Sequence, residues 1–562
     1  MRPPLVIVPL LAALLFVGSS GAVRQAATIG VYPAETTFRA TSAPGGGGAG
    51  SVALNMPIGG HDDAVVLVRG AQQVRVETPS LAAPLQLKLF FAHYVSVGGS
   101  SVPDALLPWD GTTRATEEPN QPLWLQVGVP SGTAPGTYPG QVTVVADGMQ
   151  HAIPISVRVF PVTLPAPNDV PGSLMTAFHV AAESYGNKVA SLYETSPQTA
   201  AQSLYPFLAS YRISPNSWGY GAPQSRSGYT TDKRWWKNAE TNMLAEVGDR
   251  DFAAMSIPIS NNRTAPHNYI AGLSPSKPQN WCSYLQSVRA FWSQHSWLDS
   301  FTYLYGMDEP GLDGFHTVAA QATAAHTCFP GSKVIVTGNP SLRNRFLWDG
   351  GSNDVDAWVV LASRFYGKYT VPKLSREGKS NATEKLQLID AARRQGAQIW
   401  AYTYPGSATP GFTATEPLAD SRLFFLWAAL EGVQGVLYGE GTTSYQTAVN
   451  PLDHLAASGG FVLVYPGANG PVPSARLEQI RNGIEDWEIL DAVRQKHGMG
   501  AVRSILGEAG LFSAGAGGVR LGCTVGCALK TSTPFSWPQW SQGAAAPGQI
   551  ERARARALSS AS

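Results

Sequence analysis

Between residues 28 and 160 apolar and polar positions alternate over short runs rich in β-branched side chains, at 64–69, 72–78, 85–94, 123–129 and 141–146, with Gly, Pro, Ser and Asn clusters between them. A period of two puts successive side chains on opposite faces, so each run predicts a half-buried strand, and the turn spacing predicts an all-β sandwich over residues 28–163. Pro130-Ser-Gly-Thr-Ala-Pro-Gly-Thr-Tyr-Pro-Gly140 reads as the turn-rich link of a hairpin, because Pro presets φ and Gly supplies positive φ. After the Pro-rich boundary Leu164-Pro-Ala-Pro-Asn168 the pattern changes. Apolar runs at 174–179, 213–218, 253–259, 302–306, 333–337, 357–361, 398–403 and 435–438 predict strands, and amphipathic stretches at 199–211, 281–295, 314–327, 383–395 and 417–430 predict helices between them. That repeat predicts a (β/α)8 barrel over residues 169–495. An open doubly wound sheet is the rival, weakened by the lack of a Gly-rich phosphate loop after the first strand. Residues 496–562 read as a Gly/Ala-rich tail with a final Arg-bearing helix at 549–559. The expected fold class is therefore multi-domain, an N-terminal all-β sandwich followed by a (β/α)8 barrel.

Length agrees with that division, since 562 residues exceed the roughly 250–300 at which single cores stop growing. With 44% hydrophobic and 14% charged residues the chain has ample core material. Its formal net charge of +1, without a long Lys/Arg run, leaves no footprint for a nucleic acid or an anionic membrane. Arg2, an apolar stretch from 5 to 17 and the small residues Ser20-Gly21-Ala22 read as an export signal over residues 1–22. No later run of ~18 apolar residues follows, so no membrane span is expected in the mature protein, and the expected location is secreted or extracytoplasmic. Four cysteines suit an oxidising compartment. Three pairings of Cys282, Cys328, Cys523 and Cys527 are possible, and closeness in sequence favours Cys282 with Cys328 and Cys523 with Cys527. Zinc at Cys523 and Cys527 is the rival, with no second Cys/His pair beside it. No metal and no organic cofactor is expected.

Signatures of serine esterases, zinc proteases, nucleotide enzymes and EF-hands are absent. The segment that stands out is Phe301-Thr-Tyr-Leu-Tyr-Gly-Met-Asp-Glu-Pro310, an aromatic strand ending in two carboxylates. At the C-terminal end of a barrel strand this is where catalytic groups sit. Two carboxylates a few ångströms apart resist joint ionisation, which suits one of them to act as a general acid. The plainer alternative has Asp308 capping the next turn and Glu309 pairing with an Arg. Trp358, Trp400, Tyr402, Tyr404 and Tyr438 lie at or near predicted strand ends, where rings floor a sugar subsite or pack a core. His179 and Asn216 are candidate hydrogen-bonding partners of a sugar, and Glu440 is a candidate second carboxylate.

Read with four other stretches, this segment resembles the catalytic domain of glycoside hydrolase family 123. The stretches are Pro122-Leu-Trp-Leu-Gln-Val-Gly-Val-Pro130 with Gly136-Thr-Tyr-Pro-Gly140, then Tyr211-Arg-Ile-Ser-Pro-Asn216, Ile399-Trp-Ala-Tyr-Thr-Tyr404, and Tyr465-Pro-Gly467 with Arg481-Asn-Gly-Ile-Glu-Asp-Trp-Glu-Ile-Leu490. The resemblance implies retaining hydrolysis of a β-linked 2-acetamido sugar, in which the substrate's acetamido oxygen is the nucleophile. It further implies Glu309 as general acid and base, and Asp308 as the partner of the acetamido N–H. The sequence departs from the family at Gly439, where an aromatic is usual. Two other readings stay open: a glycosidase with Glu309 and Glu440 as a conventional pair, and a non-catalytic polysaccharide-binding protein. In each the partner is an oligo- or polysaccharide.

Overall fold

Residues 26–44, 48–170, 172–216, 224–225, 228–229, 251–257, 278–295, 300–312, 314–351, 354–362, 382–403, 410–439, 442–443, 445, 449–455, 460–511 and 548–562 are described by the computed structural model. The export segment 1–22, Tyr404, Glu440, Cys523 and Cys527 lie outside these residues.

The alternating N-terminal runs form two six-stranded sheets. In the first, Thr28–Pro33, His61–Arg69, Asn120–Gly128 and Gln86–Val97 pair antiparallel in that order, with Ser100–Pro108 and His454–Leu455 added to the last. The second runs Val52–Ile58, Met149–Thr163, Gly136–Ala146, Gln73–Val76 and Arg114–Ala115, with Ser80–Leu81 beside Gly136–Ala146. Met149–Thr163 shows the period of two directly: Ile153, Ile155, Val157 and Val159 are buried and the residues between them exposed. These side chains share one core with Leu54, Val66, Leu125 and Val142 from both sheets. Asn120–Gly128 is buried at every position. Its Leu123, Leu125 and Val127 face that core, while Gln126 on the opposite face donates to Glu478 at 2.9 Å. The first sheet is therefore covered on both sides.

Seven parallel strands make the second structure. Their order is Met175–Phe178, Gly435–Tyr438, Gln398–Tyr402, Ala357–Leu361, Lys333–Thr337, Phe301–Leu304 and Ala254–Ser256. The first and last in this order nearly meet. Between them lies the segment 213–216: Phe178 N–H donates to the Ser214 carbonyl (2.9 Å), Asn216 N–H to the Phe178 carbonyl (2.8 Å), and Ala254 N–H to Ser214 Oγ (3.2 Å). The sequence predicts a strand at 213–218; among its described residues, 213–216, a single bridge from Pro215 to Phe178 forms. Pro215 has no N–H for a ladder, and Arg212 enters the segment at φ +59°.

Nine described helices are numbered α1 (Ala182–Tyr193), α2 (Pro197–Ser210), α3 (Pro278–Trp292), α4 (Gly314–Cys328), α5 (Ala382–Arg394), α6 (Asp420–Leu430), α7 (Ala475–His497), α8 (Met499–Glu508) and α9 (Gln549–Ala561). The disulfide Cys282–Cys328, with 4.9 Å between Cα atoms, ties α3 to α4, the helices before and after the Phe301–Leu304 strand.

The inside of the parallel ring is filled by Met175, Ala254, Phe301, Tyr303, Ile335, Val359, Trp400 and Leu437. Trp400 lies 5.3 Å from Phe301 and 5.9 Å from Tyr303 between ring centres. Gly435 makes that possible, because a β-carbon there would come within 2.2 Å of the indole.

Helix α7 opens with Ser474 Oγ accepting from Leu477 N–H at 3.0 Å and is buried along nearly its whole length although it is strongly charged. Its charges are paired. Asp486 bonds Arg422 of α6 (2.7 Å) and Arg554 of α9 (2.8 Å), Asn482 donates to Asp63 (2.7 Å), and Glu485 accepts from the His61 N–H (2.7 Å). Glu488, whose side chain is 1% exposed, accepts from Arg212 Nε and Nη2 at 3.1 and 2.8 Å. Burial outweighs that pairing and pushes the Glu488 carboxyl from its ordinary 4.5 up to about 7. Below pH 4.5 the group is protonated both folded and unfolded; as pH rises through 7 the unfolded chain ionises first, and about 3 kcal/mol of stability is lost. Urea unfolding should therefore show the parent losing about 3 kcal/mol more than Glu488→Gln between pH 4 and 8. Equal losses would exonerate Glu488.

Candidate active site

The Phe301–Leu304 strand turns Phe301 and Tyr303 into the ring, and Tyr305 continues the same side. Beyond it, Gly306 lies against α4, where a β-carbon would meet the Gln321 amide at 2.4 Å. The chain then passes through Asp308 to Glu309, which takes φ +42°. Such a backbone is uncommon for a residue with a β-carbon and persists only where the surroundings enforce it.

Among the described residues, those surroundings include three hydroxyls. Asp308 Oδ1 accepts from Tyr305 Oη at 2.6 Å and from Thr337 Oγ1 at 3.0 Å. The same Thr337 Oγ1 accepts the main-chain N–H of Glu309. Tyr402 Oη donates to Glu309 Oε1 at 2.5 Å. Thr337 and Tyr402 are the last residues of their strands, so both carboxylates sit over the C-terminal end of the parallel ring, each half-buried. Burial, with Asp308 beside it, pushes the Tyr305 hydroxyl well above its usual range, and it stays a donor. One hydroxyl thus positions both residues at once, which neighbouring residues in a straight strand would not permit.

Two more predicted residues meet at this end. His179 follows the Met175–Phe178 strand, anchored by its N–H on the Tyr438 carbonyl at 2.7 Å. Burial lowers its pKa, against the effect of the Asn216 side chain beside it. Asn216 keeps Oδ1 buried without a partner, and so does Asn339, two residues beyond Thr337. These are open acceptors in the loops that leave the ring.

Three aromatic rings are placed otherwise. Trp358 is fully buried in the layer between the sheet and the helices. Tyr438 lies in that layer too, its hydroxyl on the Phe461 carbonyl at 2.8 Å and its ring 5.4 Å from Phe178. Trp400 does point inward, but low in the ring, its Nε1 donating to Gln398 Oε1 at 3.0 Å. Side-chain parity decides all three: in the pairing of Trp358 with Ile399 and Val359 with Trp400, one residue of each strand faces in as its neighbour faces out. Of the predicted rings among the described residues, only Tyr402 reaches a carboxylate. Tyr305 and Thr337 were not anticipated. Tyr305 shares the parity of Tyr303, and Thr337 is the one hydroxyl closing an otherwise apolar run, Val334-Ile-Val-Thr337, so each left a trace in the sequence. Among the described residues no group of three His, Cys, Asp or Glu could hold a metal ion.

Residues 235–493 match the family model described as glycoside hydrolase 123, catalytic domain. The solved structure of a family 123 glycoside hydrolase from Clostridium perfringens, described in terms of glycolipid glycan hydrolysis, aligns over 95% of this chain and 97% of its own, with a TM-score of 0.61 at 12% identity. This chain carries a glycoside hydrolase family 123 catalytic domain. The matched residues of this family 123 domain include Asp308, Glu309, Thr337 and Tyr402, whereas His179 and Asn216 precede them. At 12% identity the Clostridium perfringens structure shares the fold, an N-terminal β-rich region with a nearly closed parallel ring. The beta-glucuronidase (GUS) of Parabacteroides merdae overlays with a TM-score of 0.27 at 9% identity, over 76% of this chain and 50% of its own, which is too slight to carry an argument. No curated protein matches the chain.

Proposed function

We propose that the family 123 domain hydrolyses a β-linked 2-acetamido sugar with retention, the substrate's acetamido group supplying the nucleophile. The observation that carries this reading is the Thr337 hydroxyl shared by Asp308 and Glu309. It fixes the Asp308 carboxylate and the Glu309 main chain together at one end of the ring. A conventional pair works across the sugar with carboxyl groups about 5 to 10 Å apart, whereas neighbours serve one side of it. Glu309 gives its proton to the glycosidic oxygen as the acetamido oxygen attacks the anomeric carbon and the leaving group departs. The resulting oxazolinium ion is cationic, and Asp308, accepting the acetamido N–H, stabilises it. Glu309 then takes a proton from the water that opens the ring, which restores the acetamide and the starting protonation.

The reading extends to three further points. The two N-terminal sheets form a sandwich, and the seven strands with residues 213–216 form an eight-fold barrel. The protein is exported, in keeping with residues 1–22 and the Cys282–Cys328 disulfide. The glycan of a glycolipid is a fitting substrate class, by analogy with the Clostridium perfringens enzyme.

The test is a comparison of chromogenic β-N-acetylgalactosaminide, β-N-acetylglucosaminide and plain β-galactoside. The expected result is release from an acetamido sugar and none from the plain galactoside. Comparable release from the plain galactoside would sink the substrate-assisted route.

A further inference from the structure

Away from the carboxylates, a cleft of about 890 Å³ opens between the N-terminal sheets and helices α2 and α7. It shares no residue with the Asp308 and Glu309 site, and its volume falls within the range of ligand pockets, about 300–1,000 Å³. Its lining combines Arg75 and Lys88 from the two sheets, Trp109 just past Ser100–Pro108, Phe207 and Tyr211 at the end of α2, and Arg481 of α7.

Two donors at this cleft are unsatisfied. Arg481 is 3% exposed and lies over the Tyr211 ring at 4.8 Å. Its Nη2 bonds Glu478, but its Nε is buried without a partner. The indole Nε1 of Trp109 is likewise buried and unpartnered. Buried donors are almost always satisfied, and leaving one unmade costs about 1–3 kcal/mol. Of the lining's cations, Arg75 pairs with Glu77 at 3.1 Å and Arg481 with Glu478 and, at 4.0 Å, Asp63, so the charge left over is that of Lys88, which has no ion pair among the described residues. Half-buried aromatic rings beside cations and free N–H donors suit a flat-faced ligand that bears an anion.

We propose that this cleft is a second glycan-binding site, which takes a uronate-bearing oligosaccharide with its carboxylate toward Arg481 and Lys88 and its ring against Trp109 and Phe207. The choice of a sugar over another organic anion rests on the glycosidase reading. The site would hold an acidic stretch of a glycan while another stretch is cleaved.

The experiment is calorimetric titration of the full chain carrying Glu309→Gln, so that binding is read without turnover. The probes are trigalacturonate, a hyaluronan tetrasaccharide, fully methyl-esterified trigalacturonate and tetraglutamate. At least one uronate oligosaccharide should bind, and Lys88→Glu, an exposed position, should weaken it tenfold or more. The methyl ester should bind at least tenfold more weakly than trigalacturonate, and Trp109→Ala should weaken binding as well. Hydrolysis of the acetamido substrate by an otherwise unaltered Lys88→Glu chain should match the parent. Binding by neither uronate, indifference to Lys88→Glu, or equal binding of tetraglutamate would overturn the proposal. Failure of hydrolysis alone would fall on the glycosidase reading and leave the binding result standing.

Discussion

Glu309→Gln is expected to lower kcat on an acetamido glycoside by about 10²–10⁴-fold, the range that a positioned general acid and base supplies. Gln keeps the size of the side chain and can still accept from Tyr402, so the loss reports the missing proton and not a displaced group. A sharper signature lies in the leaving group. Protonation helps most where the departing oxygen is basic, so the penalty should shrink on a dinitrophenyl glycoside, whose phenolate leaves unaided. Steady-state kinetics across a series of aryl glycosides measures this. A penalty independent of leaving group would remove Glu309 from the acid's role.

Asp104→Asn is expected to cost about 3–5 kcal/mol of stability, the usual result of stranding one member of a buried ion pair. Asp104 Oδ1 and Oδ2 accept from Arg476 Nε and Nη2 at 3.0 and 2.7 Å, and Tyr465 donates to the same carboxylate at 2.5 Å. The remaining guanidinium bonds run to the carbonyls of Phe412, Gly460 and Val462. Arg476 is thereby a single knot between the first N-terminal sheet, the start of α7 and two loops, and it is 2% exposed. The control is Asp110→Asn, which breaks an open pair with Arg114 at 2.8 Å and should change little, as surface pairs contribute about 0–1 kcal/mol. Urea unfolding of the three chains decides it, and a loss for Asp104→Asn no larger than the control's would refute the account.

Much of the parallel ring was legible because apolar runs and turn residues mark where strands begin and stop, and the carboxylates stood out because they end one such run. What was not legible is which way each strand faces. Ala357-Trp-Val-Val-Leu361 is apolar at every position, since the ring is buried on both sides. No alternation distinguishes Trp358 from Val359, and only the register with Gln398–Tyr402 shows that Val359 faces in. Cys282 and Cys328 could be paired from their spacing, and the disulfide is present. The charged stretch of α7 misleads in the opposite sense. Glu478, Arg481, Glu485 and Asp486 resemble a solvated helix surface locally, and their partners Gln126, Asp63, His61 and Arg554 lie elsewhere in the chain, up to more than 400 positions away. Periodicity within a window carries no information about such pairing.

The burial of α7 bears on how this architecture can be inherited. Its carboxylates and guanidiniums complete their hydrogen bonds only with the N-terminal sheets on one side and α6 and α9 on another. A recombination event that exchanged the leading sheets for another module at residues 164–168 would leave those charges facing an unmatched surface. The two halves must then be transmitted, and must vary, together: a change at His61 or Asp63 is answerable at Glu485 or Asn482, not among its neighbours in sequence.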